Sequence, residues 1–221
     1  MFRLFSTLFS RGSLALEPMT RPAFVLGSGP NSRPPNMDRS DFIFATVNAS
    51  QVVARSWNLG KPDLTLFGAG VLGDKPVNIA AKSVLTGQQT NTLLFIGRES
   101  ERTFVERQTT SIQYDYQRLL MLSRSDRRRL IKKVTHINCN DNQQPSNGLF
   151  LAILCVYLGS PEVIMSGFSL TVSGHAYNDF GHPRSRTLID LKIIQSIVKR
   201  KLNVFTNDAT FSGESGLPLN R

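Results

Sequence analysis

The stretch "SNGLFLAILCVYLGSPEVIMSGFSL" (146–170) decides the fold class. Residues 146–159 are apolar on every side of a helical wheel, open on a Ser/Asn cap and stop at Gly159. A helix without a polar face must be covered all round, and a sheet is the cover its length suits. Residues 163–170, "VIMSGFSL", are rich in β-branched and aromatic side chains and read as a strand. A buried helix leading into a strand is one unit of an α/β chain.

The same alternation extends in both directions. "AFVLG" (23–27), "DFIFATVN" (41–48), "DLTLFGA" (63–69), "TLLFIG" (92–97) and "LNVFTN" (202–207) are further strands bounded by turn residues. "TLIDLKIIQSIVKRKL" (187–202) is a second strong helix, with Leu188, Leu191, Ile194, Ile197 and Val198 on one stripe. Thr187 and Asp190 form an acidic variant of the capping box there, and Lys199, Arg200 and Lys201 suit the negative end of the helix dipole. The expectation is one Rossmann-like α/β domain over 22–206, a mostly parallel sheet flanked by helices. It lies between an amphipathic segment at 1–18 and a C-terminal loop or tail at 207–221. Loops leaving the carboxyl ends of such strands converge on one edge, where ligands bind.

Charge and composition narrow the partners. In 221 residues, 26 Lys and Arg stand against 16 Asp and Glu, a net charge of +10 that favours anionic partners. Hydrophobic residues at 40% and charged residues at 19% read as a globular rather than a disordered chain over most of its length. The densest basic run, "RSDRRRLIKK" (124–133), is either a solvated helix face or a patch for phosphate or a membrane surface. Cys139 and Cys155 have no metal or redox spacing and read as free thiols of a reducing, cytoplasmic compartment, with Cys155 buried. No stretch reaches the length needed to span a bilayer. In "MFRLFSTLFSRGSLALEP" (1–18), Phe2, Phe5, Leu8 and Phe9 fall at helical spacing beside Arg3 and Arg11. That pattern fits a helix lying on the inner membrane surface, an organelle transit peptide or a helix packed on a partner.

Three motifs carry chemistry. "VLGSGPNS" (25–32) follows a strand; Gly27 and Gly29 let the backbone approach a phosphate, and Ser28, Asn31 and Ser32 offer donors. "FGAGVLGDKP" (67–76) matches a dinucleotide fingerprint through Gly68, Gly70 and Gly73, but Asp74-Lys75-Pro76 interrupts the helix it should open, and it follows the third strand. "GHAYNDFGHPRSRTLIDLK" (174–192) spaces His175, Asp179 and His182 as metal ligands might be spaced, yet Gly174, Gly181 and Pro183 make it a loop. The remaining readings are a polar surface loop, or a histidine acting as general base with an unperturbed pKa of about 6.5.

Together, the strand with its "GSGPN" turn, "DFIFATVN" ending in Asn48, "SNGLFLAILCVYLGSPEVIMSGFSL", "GHAY" and "GHPRSRTLIDLKIIQSIVKRKLNVF" resemble the bacterial sialyltransferases with a GNGPS-type first loop. The resemblance runs over 22–206, strongest from 146 to 206 and faint between 74 and 140. It implies a metal-independent, inverting glycosyltransferase that needs no cofactor and takes CMP-sialic acid or a related CMP-activated acidic sugar. It implies that Gly27, Ser28, Gly29 and Asn31 contact the nucleotide, with Ser28 standing where the family has Asn and Asn31 where it has Ser. It further implies that Asn48 contacts the donor, that Asn147 and Gly148 open the helix toward an anion, that Tyr177 holds the departing phosphate and that His182 is the general base. Thr171 stands at the second phosphate tyrosine, Gly68 or Ala69 replaces an expected asparagine, and the segment before the histidine is shorter, leaving a wetter site.

The implied partners are a nucleotide-sugar donor and a glycan acceptor, with peripheral membrane contact and a homo-oligomer as further expectations. Nucleic acid is not expected, since no recognition motif accompanies the charge. Two other readings stand beside this one: a nucleotide- or phosphosugar-binding protein on the same fold that has lost catalysis, and a diphosphotransferase related to the pterin-diphosphate kinases.

Overall fold

The computed structural model describes residues 16–177 and 186–220. Seven strands form one sheet: β1 (Ala23–Leu26), β2 (Ile43–Val47), β3 (Leu64–Phe67), β4 (Gln89–Ile96), β5 (Asp115–Leu122), β6 (Val163–Ser166) and β7 (Val204–Thr206). Their order is β5-β4-β3-β2-β1-β6-β7 and every pair is parallel. The chain steps outward from β1 to β5, then returns to the other side of β1 for β6 and β7. The order therefore reverses between β1 and β6, and the crevice beyond their carboxyl ends is where an open α/β sheet binds ligand.

The central strand shows why the sheet is covered on both faces. All four residues of β1 are buried. Ala23 and Val25 point into the main core, while Phe24 and Leu26 join Phe42, Phe44 and Ile164 on the opposite face. Alternation along a strand thus feeds two cores, and a strand apolar on both sides is the consequence.

The helices are α1 (Pro76–Leu85), α2 (Arg102–Ser111), α3 (Arg124–Thr135), α4 (Asn147–Tyr157), α5 (Thr187–Lys199) and α6 (Ala209–Ser215). The all-apolar segment is α4, packed across β1, β2, β3 and β6 with α3 on its flank. Every residue from Leu149 to Cys155 is exposed by 1% or less. Full burial of a Leu, Ile or Phe side chain stabilises by about 1.5–3 kcal/mol, so this helix anchors the domain. Cys139 and Cys155 are free thiols, and burial pushes that of Cys155 up to about 12.

Several expectations are corrected. Residues 207–221 are not simply a tail: they hold α6, capped by Asp208, whose carboxylate accepts from Thr210 N at 2.9 Å, and Phe211 and Leu217 are buried. The strand expected at 163–170 ends at Ser166, because Gly167 turns the chain with φ of 73°. In α5 the buried face is Ile193, Ile194 and Ile197, whereas Leu188 is 86% exposed and Val198 is exposed too. Thr187 and Asp190 form no capping box; the Asp190 carboxylate instead accepts from Ser146 N at 2.8 Å, joining the starts of α4 and α5. The basic run is α3, and its Arg127 is buried rather than solvated. The expected amphipathic N-terminus lies outside the described residues apart from 16–18. Among the described residues, no helix is long and apolar enough to cross a membrane.

The crossing at the switch point tolerates no side chain. A Cβ on Gly167 would lie 2.7 Å from the carbonyl oxygen of Gly27, whereas Gly60, with a similar φ of 67°, has nothing within 4 Å. Gly60→Ala should cost about 1 kcal/mol for its left-handed backbone alone. Gly167→Ala should cost about 2 kcal/mol more, because backbone must shift. Urea unfolding of the two variants measures the difference, and equal losses would contradict the close crossing.

Candidate functional site

The site is assembled where β1, β2, β3 and β6 end. Leaving β1, the chain runs alongside the turn after β6: Gly27 N donates to Ser166 O at 2.8 Å and Gly29 N to Gly167 O at 2.7 Å. A Cβ on Gly27 would sit 2.4 Å from Gly167 O, so glycine is required there. Ser28, between the two glycines, becomes the half-buried polar group of the turn. Its Oγ lies 2.6 Å from His175 Nδ1, and its carbonyl accepts from Ala176 N at 2.8 Å. His175 in turn stacks on Tyr177, ring centroids 5.1 Å apart and planes within 2°. Burial pushes the Tyr177 phenol up to about 12 although a hydrogen bond with Ser28 pulls it back. It therefore stays a proton donor through the neutral range.

Facing this turn is the start of α4. Ser146 caps it, accepting from Leu149 N at 3.4 Å, so the open N–H groups of the first turn point at the crevice. Gly148 is glycine because a Cβ would meet the Phe168 ring at 2.5 Å. Asn48 follows β2 in the left-handed region, which asparagine accepts more easily than most residues, and its Oδ1 accepts from Gly68 N at 2.9 Å. Gly68 has a local reason of its own: a Cβ there would lie 2.1 Å from Asn147 Nδ2. The residue read as part of a dinucleotide fingerprint, or as a missing asparagine, makes room for Asn147.

Beneath Asn147 lies Arg127 of α3, 5% exposed. Its Nη1 donates to Asn147 Oδ1 at 3.1 Å, its Nη2 to Pro145 O at 2.6 Å, and its guanidinium rests 4.9 Å over the Phe150 ring. Burial first, and the nearby charge of Arg186 second, push it down to about 9. Arg186 donates to the same Pro145 carbonyl at 2.7 Å. Burial raises the Asp190 carboxyl, while the Ser146 N–H and then the two arginines oppose that rise.

These groups line a cleft of two lobes, about 460 and 340 Å³, that share Asn48, Asn147, His175 and Arg186. Gly27, Ser28, Gly29, Asn48, Asn147 and Gly148 line the smaller lobe, and Tyr177 lines the larger. Two predicted residues are not brought there. Asn31 is exposed on the turn, and the Thr171 hydroxyl donates to Glu214 of α6. His182 and Asp179 lie outside the described residues. Among the described residues no cluster of three or more His, Cys, Asp or Glu could hold a metal ion.

Arg127 and Arg186 are site residues the sequence reading missed, while His175, read there with Asp179 and His182 as a possible metal ligand or as part of a polar loop, lines both lobes. Arg127 left a signal: it shares the inward face of α3 with Leu130, Ile131 and Val134, all buried. A cation at that spacing is buried with its apolar neighbours. The pairing of His175 with Ser28 left none, since the two are 147 positions apart.

No family model matches the chain, and no curated relative matches it in sequence. In structure it is similar to sialyltransferases. The sialyltransferase CstII from Campylobacter jejuni, solved with the substrate analogue cytidine-5'-monophosphate, superposes with a TM-score of 0.57 at 14% identity, covering 92% of this chain and 86% of that one. CstII with a trisaccharide acceptor and CMP gives 0.55 at 15% identity, with 90% and 87% covered. The monofunctional alpha-2,3-sialyltransferase Cst-I from Campylobacter jejuni gives 0.57 at 12% identity, with 95% and 85% covered. At such identities the likeness establishes the fold.

Proposed function

We propose that the protein is an inverting glycosyltransferase that moves an acidic sugar from a CMP-activated donor to a glycan hydroxyl. The observation that carries this reading is the seat formed by the Gly27–Ser28–Gly29 turn, the open start of α4 and the Tyr177 phenol at the strand-order reversal. That seat offers neutral donors to a phosphate. The fold shared with sialyltransferases solved with CMP supports the same choice of nucleotide.

In this reading the nucleotide lies in the smaller lobe with its phosphate near Ser28 and Tyr177, and the sugar enters the larger lobe. The acceptor oxygen forms a bond to the anomeric carbon from the face opposite the phosphate. The bond from that carbon to the phosphate oxygen breaks, its electron pair leaves with CMP, and the acceptor proton passes to His182. Tyr177 donates to the phosphate as charge gathers on it. His175, stacked beside Tyr177 and tethered to Ser28, takes the place of Thr171 as the second group at that phosphate.

The engagement of Thr171 with Glu214 is the observation that favours a second reading, a CMP-binding protein without transfer. Thermal unfolding separates the possibilities. CMP should raise the midpoint where UDP, GDP and NAD at equal concentration do not, because only a ligand of the folded state stabilises it. His182→Ala should keep the CMP response and lose about 100-fold or more of the transfer rate. Undiminished transfer by that variant would remove His182 as the base. CMP binding by the intact protein with no transfer from any CMP-sugar would select the second reading.

A further inference from the structure

We propose that Arg127 is the fixed pole of an anion subsite in the larger lobe, beside the nucleotide seat, and that the subsite takes a carboxylate carried on a sugar. This rests on the reading of the smaller lobe as a nucleotide seat. The supporting geometry is independent of it.

Three arginines reach this lobe: Arg124 and Arg127 from α3, and Arg186 at the start of α5. Arg127 and Arg186 both donate to one neutral oxygen, the carbonyl of Pro145. The acids nearby do not balance them. Asp190 faces both guanidiniums as a single carboxylate and already accepts from Ser146 N. Asp141 is held by Arg128, and Asp126 by Arg129 and Ser123. Arg127 is nine-tenths buried and more, yet its Nε–H has no partner among the described residues. A buried cation left without an equal counterion is costly, and such a site is completed by an anion.

The chemistry of the anion follows from the walls. A guanidinium presents paired N–H groups that match the two oxygens of a carboxylate. The same lobe is lined by the amides of Asn48, Asn78 and Gln144, by the apolar side chains of Val71 and Val77, and by Asp141, whose carboxylate is paired with Arg128. Amides for hydroxyls and acylamino groups, and a small apolar wall for carbon, suit a sugar acid better than a free inorganic ion. Arg127 cannot swing away, because Phe150 lies under it and Asn147 and Pro145 hold its ends. It therefore selects by charge and by position.

The carboxylate could belong to the donor sugar or to an acidic acceptor, and titration calorimetry on the full chain distinguishes them. The probes are CMP, an unreactive fluorinated CMP-sialic acid and its methyl ester, and, with CMP present, sialyllactose against lactose. The acid should bind about tenfold or more tighter than its ester, as expected for a charged hydrogen-bonded pair. Arg127→Met, which keeps an unbranched stem of similar length, should bring acid and ester within about threefold of each other, with CMP measured on the same variant as the reference. Should that variant fail to fold, Arg127→Lys decides, since a point charge cannot span both oxygens and most of the ratio should still be lost. Equal binding of acid and ester, with sialyllactose preferred over lactose only when Arg127 is present, assigns the carboxylate to the acceptor. If neither pair separates, or the separation survives in the variant that folds, the subsite is overturned while CMP binding keeps the functional reading. If CMP does not bind, that reading falls, and free sialate then decides the subsite: a higher unfolding midpoint in the intact protein but not in the variant upholds it, and no rise removes it.

Discussion

Everything in this domain depends on the burial of one helix with no polar face. α4 lies across four strands, and its side chains from Leu149 to Cys155 are withdrawn from water. A helix held that firmly has no freedom at its first turn, so Ser146, Asn147 and Gly148 are delivered to the carboxyl edge of the sheet as a rigid unit. The hydrophobic anchoring and the polar opening are two ends of the same eleven-residue helix. The stability of the helix and the shape of the cleft edge are therefore coupled through its axis.

The edge that α4 faces is shaped by close contacts at glycines, one against backbone and two against side chains. Gly27 against Gly167, Gly148 against Phe168 and Gly68 against Asn147 are three places where a methyl group would not fit. Each lets chain approach chain, and the outcome is a cleft whose polar groups are fixed from several elements. Ser28 comes from the turn after β1, Asn48 from β2, Arg127 from α3 and His175 with Tyr177 from the turn ahead of α5. Such preorganisation favours binding of charge, because donors set in advance need no rearrangement when an anion arrives. The excess of guanidinium over carboxylate around Pro145 gives the cleft its sign.

The fold was legible where burial leaves a chain no choice of composition. α4 and the central strands have cover on both sides, so their apolar runs stood out. β5 was missed because its first half is solvated: Gln117 and Arg118 are exposed and break the apolar run. α6 was missed because seven residues containing Ser, Thr and Gly look like a loop, and only the cap of Asp208 and the burial of Phe211 reveal a helix. At the site, the glycine turn and the start of α4 were readable because local geometry demands those residues. The pairing of Ser28 with His175, and the placement of Arg127 under Asn147, join positions that only the folded sheet brings together. The exposed Leu188 was counted as core because periodicity identifies a stripe without saying which neighbour covers its first turn.

The cleft sits at one location, the reversal between β1 and β6. A crystal structure of the protein with CMP tests it most directly. The expected result is CMP in the smaller lobe, its phosphate about 3 Å from Ser28 Oγ and the Tyr177 hydroxyl and directed at the first turn of α4. CMP bound instead at the opposite edge of the sheet, in the cavity lined by Arg55, Asn58, Lys61 and Gln88, would contradict it.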